Sequence, residues 1–327
     1  MSNFRWGILG TGGIASAFVE DLRLADGHVV TAVGSRSLFT AQEFAKKTPG
    51  ARAYASYAEL VHDDNVDAIY VATPHPWHKE HTLLALNASK PVLCEKPFAI
   101  TAVETQEMMK AAQANNVALL EAMWTSYLPH IASVRKILSS GVLGEIYSVE
   151  ADHGQRLADR GIARLVDPHL AGGALLDLGI YPVSFAHLVL GAPDTITSSA
   201  VMTDRGVDAQ TSAIFDYKSG AQAIITTNMI ARTPCRAVIS GLLGRLEIDS
   251  IFYNPASMRV VLTDGTTTQY PNTYLGHGLR EQAIEMARVV SNGQLESALM
   301  PWSQTLAVMQ TMDQIRRQIG LTYPFEN

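Results

Sequence analysis

A chain of 327 residues is about twice the usual length of a domain, so two domains are expected. Hydrophobic residues make up 47% and charged residues 17%, enough to bury a sizeable core and unlike a disordered chain. The net charge of -6, from 25 basic and 31 acidic residues, offers no basic excess for nucleic acid or an anionic membrane. Cys94 and Cys235 are too few for a disulfide framework, which suits a reducing compartment. Met1-Ser2-Asn3-Phe4-Arg5 runs directly into a strand-like segment, without the look of a signal peptide. The most apolar long stretch, 172–192, contains Asp177, Pro182 and His187, which a membrane span tolerates poorly. A soluble cytoplasmic protein is expected.

In chain order, the first 120 residues alternate short apolar runs with helix-like patterns. Strands are expected at 6–9, 28–33, 68–72, 92–94 and 118–120, and helices at 14–25, 41–47, 78–87 and 102–115. Such alternation argues for βαβ units and a parallel sheet covered on both faces. Beyond about residue 123 the pattern changes. A helix at 131–138 precedes β-rich runs at 146–151, 195–201, 211–217, 221–227, 237–240, 245–248 and 259–262. Tyr217-Lys218-Ser219-Gly220 and Thr263-Asp264-Gly265 read as hairpin turns. An antiparallel or mixed sheet is expected there, followed by closing helices at 279–290 and 304–319. The expected division is 1–122 for nucleotide binding and 123–327 for substrate binding and oligomerisation, with the last helix able to pack back on the first part.

Gly10-Thr11-Gly12-Gly13-Ile14-Ala15 follows the first strand and opens the first helix. Gly10 permits a tight turn, Gly12 lets backbone approach a pyrophosphate, and Ala15 takes the small position of helix–strand packing. The helix N-terminus then offers N–H groups and a positive dipole end. The bland alternative is a simple tight turn, but the βαβ context favours a dinucleotide. The second strand ends in Ser35 and Arg36, where NAD-preferring sites place an acidic residue. A guanidinium there can hold a 2′-phosphate, so NADP is expected over NAD, against the alternative of a solvated loop arginine.

Val92-Leu93-Cys94-Glu95-Lys96-Pro97 puts Glu95 and Lys96 at the carboxyl end of a parallel strand, where open α/β sheets bind ligands. Thr73-Pro74-His75 follows another strand end and is placed to line the cofactor crevice, with His75 facing cofactor or substrate. The spacing of His75, His78 and His81 matches no zinc motif, and no metal is expected. In Gly172-Gly173-Ala174-Leu175-Leu176-Asp177-Leu178-Gly179-Ile180-Tyr181-Pro182, the glycines read as a flexible lead-in. If Asp177 begins a helical turn, Tyr181 lies on the same face. Spacing alone fits a cap and a buried aromatic equally well. Chemistry favours more: oxidising an alcohol requires a base to take the hydroxyl proton. A tyrosine hydroxyl, with a pKa near ~10, needs about 4 kcal/mol of preferential phenolate stabilisation to serve near neutrality. Lys96 and a cationic nicotinamide push that way, whereas Asp177 is better suited to orienting Lys96 or a substrate hydroxyl.

The Gly10-to-Ala15 loop, Glu95-Lys96-Pro97 and the Asp177-to-Tyr181 segment resemble the Gfo/Idh/MocA oxidoreductase family over essentially the whole chain. Tyr181, where most of that family has histidine, together with Glu121-Ala122-Met123-Trp124-Thr125 and Thr73-Pro74-His75-Pro76-Trp77-His78, is similar to the dimeric dihydrodiol dehydrogenase and NADP-dependent D-xylose dehydrogenase subgroup. The resemblance implies an N-terminal Rossmann domain and a C-terminal α+β domain with a large, open, mostly antiparallel sheet that often forms a subunit interface, hence a homodimer or dimer of dimers. It implies Lys96 and Tyr181 as the catalytic pair, Asp177 as their supporting carboxylate and Trp124 as an aromatic packing on substrate. The subgroup has arginine after the Trp-Thr pair, where this chain has Ser126. The expectation is an NADP-dependent dehydrogenase of a sugar or cyclic diol. A carbonyl reductase of the same family and a cofactor-binding sensor without turnover are the alternatives.

Overall fold

The computed structural model describes residues 3–157 and 159–326. Contacts within the chain define two compact units, Met1–Tyr127 with Leu275–Thr305, and Leu128–Tyr274 with Leu306–Asn327.

The first unit is a Rossmann fold. Its elements are β1 (Phe4–Leu9), α1 (Gly13–Leu22), β2 (His28–Gly34), α2 (Leu38–Ala45), β3 (Arg52–Tyr54), α3 (Tyr57–Val61), β4 (Ala68–Val71), α4 (His78–Asn87), β5 (Val92–Glu95), α5 (Ala102–Asn115) and β6 (Leu119–Ala122). The six strands are all parallel in the order β3-β2-β1-β4-β5-β6, which is the doubly wound order with its switch point between β1 and β4. Every residue of β4, β5 and β6 is buried, as expected of strands covered on both faces. Residues 275–305 join this unit through hydrogen bonds. Buried Asp21 of α1 accepts from the backbone N–H groups of His277, Gly278 and Arg280 at 2.7, 3.0 and 2.8 Å. Trp302 Nε1–H donates to Leu119 O at 2.8 Å.

The second unit is built on an eight-stranded sheet. It holds α6 (Pro129–Ser139), β7 (Ile146–Gly154), α7 (Ala163–Val166), α8 (Ile180–Leu190), β8 (Thr195–Met202), β9 (Asp208–Asp216), β10 (Gln222–Asn228), β11 (Ala237–Gly241), β12 (Gly244–Ile248), β13 (Met258–Leu262) and β14 (Thr267–Tyr270). Strand order is β14-β13-β12-β11-β7-β10-β9-β8. Among the described residues of this sheet, only the β7–β10 pair is parallel. Both hairpin turns form where the sequence places them, with Gly220 N–H on Tyr217 O and Gly265 N–H on Leu262 O. Helix α8 covers one face, against buried Ala223, Ile225 and Thr227 of β10. The opposite face carries Ile214 paired with Ile224, both exposed. The remaining helices are α9 (Arg280–Ser291), in the first unit, and α10 (Trp302–Ile319), whose residues from Leu306 onward belong to the second. Among the described residues, only Pro168–Leu190 is apolar and long enough by composition to cross a membrane, and 83% of its most apolar window is buried inside the fold, as in a core segment.

Candidate active site

In the first unit, the expected site residues gather at the carboxyl ends of β1, β2, β4, β5 and β6. At the end of β1, Gly10 has φ +104°, and a Cβ there would lie 2.9 Å from Ala72 O, so both strain and space require glycine. Thr11 leads to Gly12, which caps α1 with an extended backbone and without any side-chain hydrogen bond. No acidic side chain sits in the helix's first turn, and Ile14 is exposed there. A Cβ added at Gly12 or Gly13 would meet no protein atom within 4 Å. The protein's own packing therefore does not demand glycine at these two positions. A pyrophosphate approaching the helix N-terminus does, and the residues present fit a dinucleotide.

At the end of β2, Ser35 is buried and its N–H donates to Tyr54 O at 3.2 Å. Arg36 is exposed, and its charge acts on both Tyr57 and His81, whose rings meet edge to face at 4.6 Å. Burial and then the Arg36 charge push His81 down to about 4.

After β4, Thr73 and His75 are both buried, and the Thr73 hydroxyl lies 3.0 Å from His81 Nδ1. His78 lies between two carbonyl oxygens, Thr73 O at 2.7 Å and Pro97 O at 2.8 Å. It thus links the loops that follow β4 and β5. The carbonyls favour its charged form, but complete burial outweighs them and brings it down to about 4. Among the described residues no cluster of His, Cys, Asp and Glu is arranged to hold a metal. At the end of β5, buried Glu95 accepts from Tyr70 OH at 2.5 Å and from Lys96 N–H at 3.1 Å, which fixes the backbone that carries the half-buried Lys96. After β6, Trp124 is buried in a single short turn, Trp124–Tyr127, anchored by Tyr127 OH on Glu121 O at 2.9 Å.

In the second unit, Asp177 does not begin an α-helical turn. It lies in the middle of a π turn, Leu175–Gly179, that runs into α8. Such turns are rare and concentrate at functional sites. Pro182 has no N–H to offer Leu178 O four residues back. His153 Nδ1 takes that place at 3.1 Å. Since a carbonyl only accepts, Nδ1 carries the proton, and Nε2 accepts from Gln155 Nε2–H at 2.9 Å. Gln155 also donates to Tyr253 OH at 2.8 Å. The rings of His153 and Tyr253 pack together at 4.1 Å between centroids, and Tyr181 packs against both, at 5.2 and 4.6 Å. Asp177 is nearly buried and pairs with Arg164 Nη1 at 2.8 Å. Gly172 and Gly173 are not a flexible lead-in. A Cβ at Gly172 would fall 2.8 Å from the Leu165 backbone, and Gly173 has φ +122°.

Sequence reasoning missed Arg164, His153, Gln155 and Tyr253. No motif or spacing marks them: β7 and a loop bring His153, Gln155 and Tyr253 together beside Tyr181, and Arg164 reaches Asp177 from the short helix α7.

Residues 4–123 match the family model described as oxidoreductase family, NAD-binding Rossmann fold, and residues 131–247 match the GFO/IDH/MocA C-terminal domain. The chain belongs to the Gfo/Idh/MocA oxidoreductase family. It is 38% identical to trans-1,2-dihydrobenzene-1,2-diol dehydrogenase of Danio rerio, with 98% of each chain covered. It is also 38% identical to D-xylose 1-dehydrogenase (NADP(+)) of Hypocrea jecorina, over 98% of this chain and 93% of that one. Among solved structures it resembles a 3-ketoreductase from Actinomadura kijaniata in complex with NADP and TDP-benzene, at a TM-score of 0.86, 27% identity and coverage of 97% and 98%.

Proposed function

We propose that the protein is an NADP-dependent dehydrogenase that oxidises a hydroxyl of a sugar or cyclic diol, with Tyr181 as the general acid/base. A bound nicotinamide supplies the hydride chemistry. Gly10, Thr11, Gly12, Gly13 and Ile14 would hold the pyrophosphate at the N-terminus of α1, Ser35 and Arg36 the 2′-phosphate, and Thr73, His75, Glu95 and Lys96 the nicotinamide end. Tyr181 takes the substrate hydroxyl proton in oxidation and returns it in reduction. Lys96 favours the phenolate by its charge. Asp177 orients a substrate hydroxyl, and Trp124 and His75 pack on the substrate. The observation that carries this reading is the setting of Tyr181, a phenol packed against the paired rings of His153 and Tyr253, four residues after a carboxylate that Arg164 holds. The names of the two relatives support the substrate class and the cofactor.

The test is turnover with NADP+ or NAD+ and a panel of aldoses and cyclic diols, read by absorbance of the reduced nicotinamide. Tyr181→Phe should lower kcat about 10²–10⁴-fold, the usual worth of positioned proton transfer. Cofactor binding should persist. Unchanged turnover overturns the role of Tyr181. The 3-ketoreductase neighbour favours a second reading, in which the same residues run as a carbonyl reductase. Turnover only with NADPH and a ketose or diketone would select it.

The open sheet face bearing exposed Tyr147, Ile214, Ile224 and Val201 supports a homodimer or dimer of dimers. The absence of a disulfide at Cys94 and Cys235, both buried, supports a cytoplasmic enzyme.

A further inference from the structure

Three buried side chains from three parts of the second unit hold the backbone 172–175, which leads into the turn bearing Asp177. Tyr323 OH donates to Gly172 O at 2.9 Å. Thr227 of β10 donates to Ala174 O at 3.2 Å. Asp208 of β9 accepts from Leu175 N–H at 2.8 Å through Oδ2. Thr211 donates to that same Oδ2 at 2.7 Å, so the carboxylate is itself fixed. Asp208, Thr211 and Tyr323 are fully buried and Thr227 is 1% exposed. Between these anchors, a Cβ at Gly173 would stand 2.2 Å from Asp208 Oδ1, so carboxylate and backbone meet with no room for a side chain.

Burying a carboxylate is costly, and an apolar residue of similar size would fill the space better. Burial pushes Asp208 up to about 6. What the carboxylate supplies is an acceptor for the first N–H of the π turn, a group without a partner inside the helix. Turn register matters here. A slip of one residue rotates a helical side chain by about 100° and carries it off its face.

We infer that Asp208 is a positioning residue which, with Tyr323 and Thr227, sets the register of the Leu175–Gly179 turn and thereby places Asp177 and Tyr181. The inference rests on the proposed role of that segment in turnover. It assigns β9 and the Tyr323 side chain a part in catalysis without contact with substrate or cofactor.

The experiment compares Asp208→Ala, Asp208→Asn and Tyr323→Phe, each alone and the first also with Tyr181→Phe. For each, kcat, KM, NADP affinity, thermal midpoint and amide hydrogen exchange of peptide 172–181 are measured. Misplacement by about 1 Å can cost ~10²-fold, so Asp208→Ala should lower kcat about 10- to 100-fold. KM and NADP affinity should stay within about twofold, and exchange should quicken only in 172–181. Asp208→Asn keeps an acceptor for Leu175 N–H and should restore most of kcat. Tyr323→Phe removes a single hydroxyl and should lower kcat about 3- to 10-fold, as one lost hydrogen bond does. It decides the matter if Asp208→Ala does not fold. Added to Tyr181→Phe, the alanine variant should cost little more, since both act through one group. Unchanged kcat in Tyr323→Phe, or a loss in Asp208→Ala that merely follows its folded fraction and is not restored by asparagine, overturns the inference. If Tyr181→Phe turns over normally while Asp208→Ala is slow, the acid/base reading falls and the anchor stands.

Discussion

Glu121, in the middle of the parallel sheet, ties the stability of the first unit to pH. Its side chain is fully buried on β6, one strand from Glu95, with Thr305 Oγ1–H on Oε2 at 2.8 Å. Burial is the largest effect on its acidity and the Glu95 charge adds to it, while the Thr305 hydrogen bond and the Lys96 charge oppose; the balance moves it from 4.5 up to about 7. Between those two values the unfolded chain has released this proton and the folded chain keeps it. Stability is therefore full below the unfolded value and is lost as pH rises through the folded one. The change is worth about 3 kcal/mol at about 1.4 kcal/mol per tenfold, with about 2.5 kcal/mol of it falling between pH ~5 and ~8. In Glu121→Gln the amide has no proton to lose. Its NH2 group stands where Oε1 has no hydrogen-bond partner, at a cost of about 1–3 kcal/mol. That cost is the same at both pH values and cancels in the comparison. Urea unfolding followed by tryptophan fluorescence reads this unit selectively, since Trp6, Trp77, Trp124 and Trp302 all lie in it. The native protein should lose about 2.5 kcal/mol more than the variant between the two conditions. Equal pH dependence in both proteins would refute the argument.

Gly12→Ser should leave the thermal midpoint unchanged or slightly raised, because serine is a good N-cap and the new Cβ meets no protein atom. NADP affinity measured by calorimetry should fall about tenfold or more, on the scale of a lost charge-assisted hydrogen bond, and unaltered affinity would reduce the glycine loop to a tight turn. Arg36→Ala should weaken NADP about 10- to 100-fold, the worth of one charge-assisted contact to phosphate. NAD binding should barely change, and equal loss for both cofactors would remove Arg36 from the phosphate site.

The parallel sheet was legible because its strands are near-continuous apolar runs divided by helix-length segments, and glycine punctuation marks the first turn. The strands that escaped notice were those without a pattern. β3 has three residues, and β14 reads Thr-Thr-Gln-Tyr with its first three residues exposed, an edge strand held by the ladder to β13 rather than by buried side chains. The segment 275–305 carried no sequence sign of belonging with the first unit. Buried polar groups join it there: the carboxylate of Asp21, taking three N–H groups more than 250 residues along the chain, with Leu119 O and Glu121 accepting from Trp302 and Thr305.

The candidate site divides along the same line. Gly10, Arg36, Lys96 and Tyr181 stand in short motifs, because strand ends and helix starts put neighbouring residues to one task. Arg164, Asp208 and Tyr323 could not be read that way. Asp208 is an unremarked acid at the start of a strand until the fold brings it to the Leu175 N–H, 33 residues earlier. The π turn hid for a related reason. Its apolar residues match an α-helix as well as a π turn, and the sequence displays only Pro182, whose missing N–H leaves Leu178 O to a histidine from β7. The local signal therefore marks where chemistry is attached to the chain. The geometry that tunes it is carried by buried polar groups, whose partners are set by tertiary pairing and not by spacing.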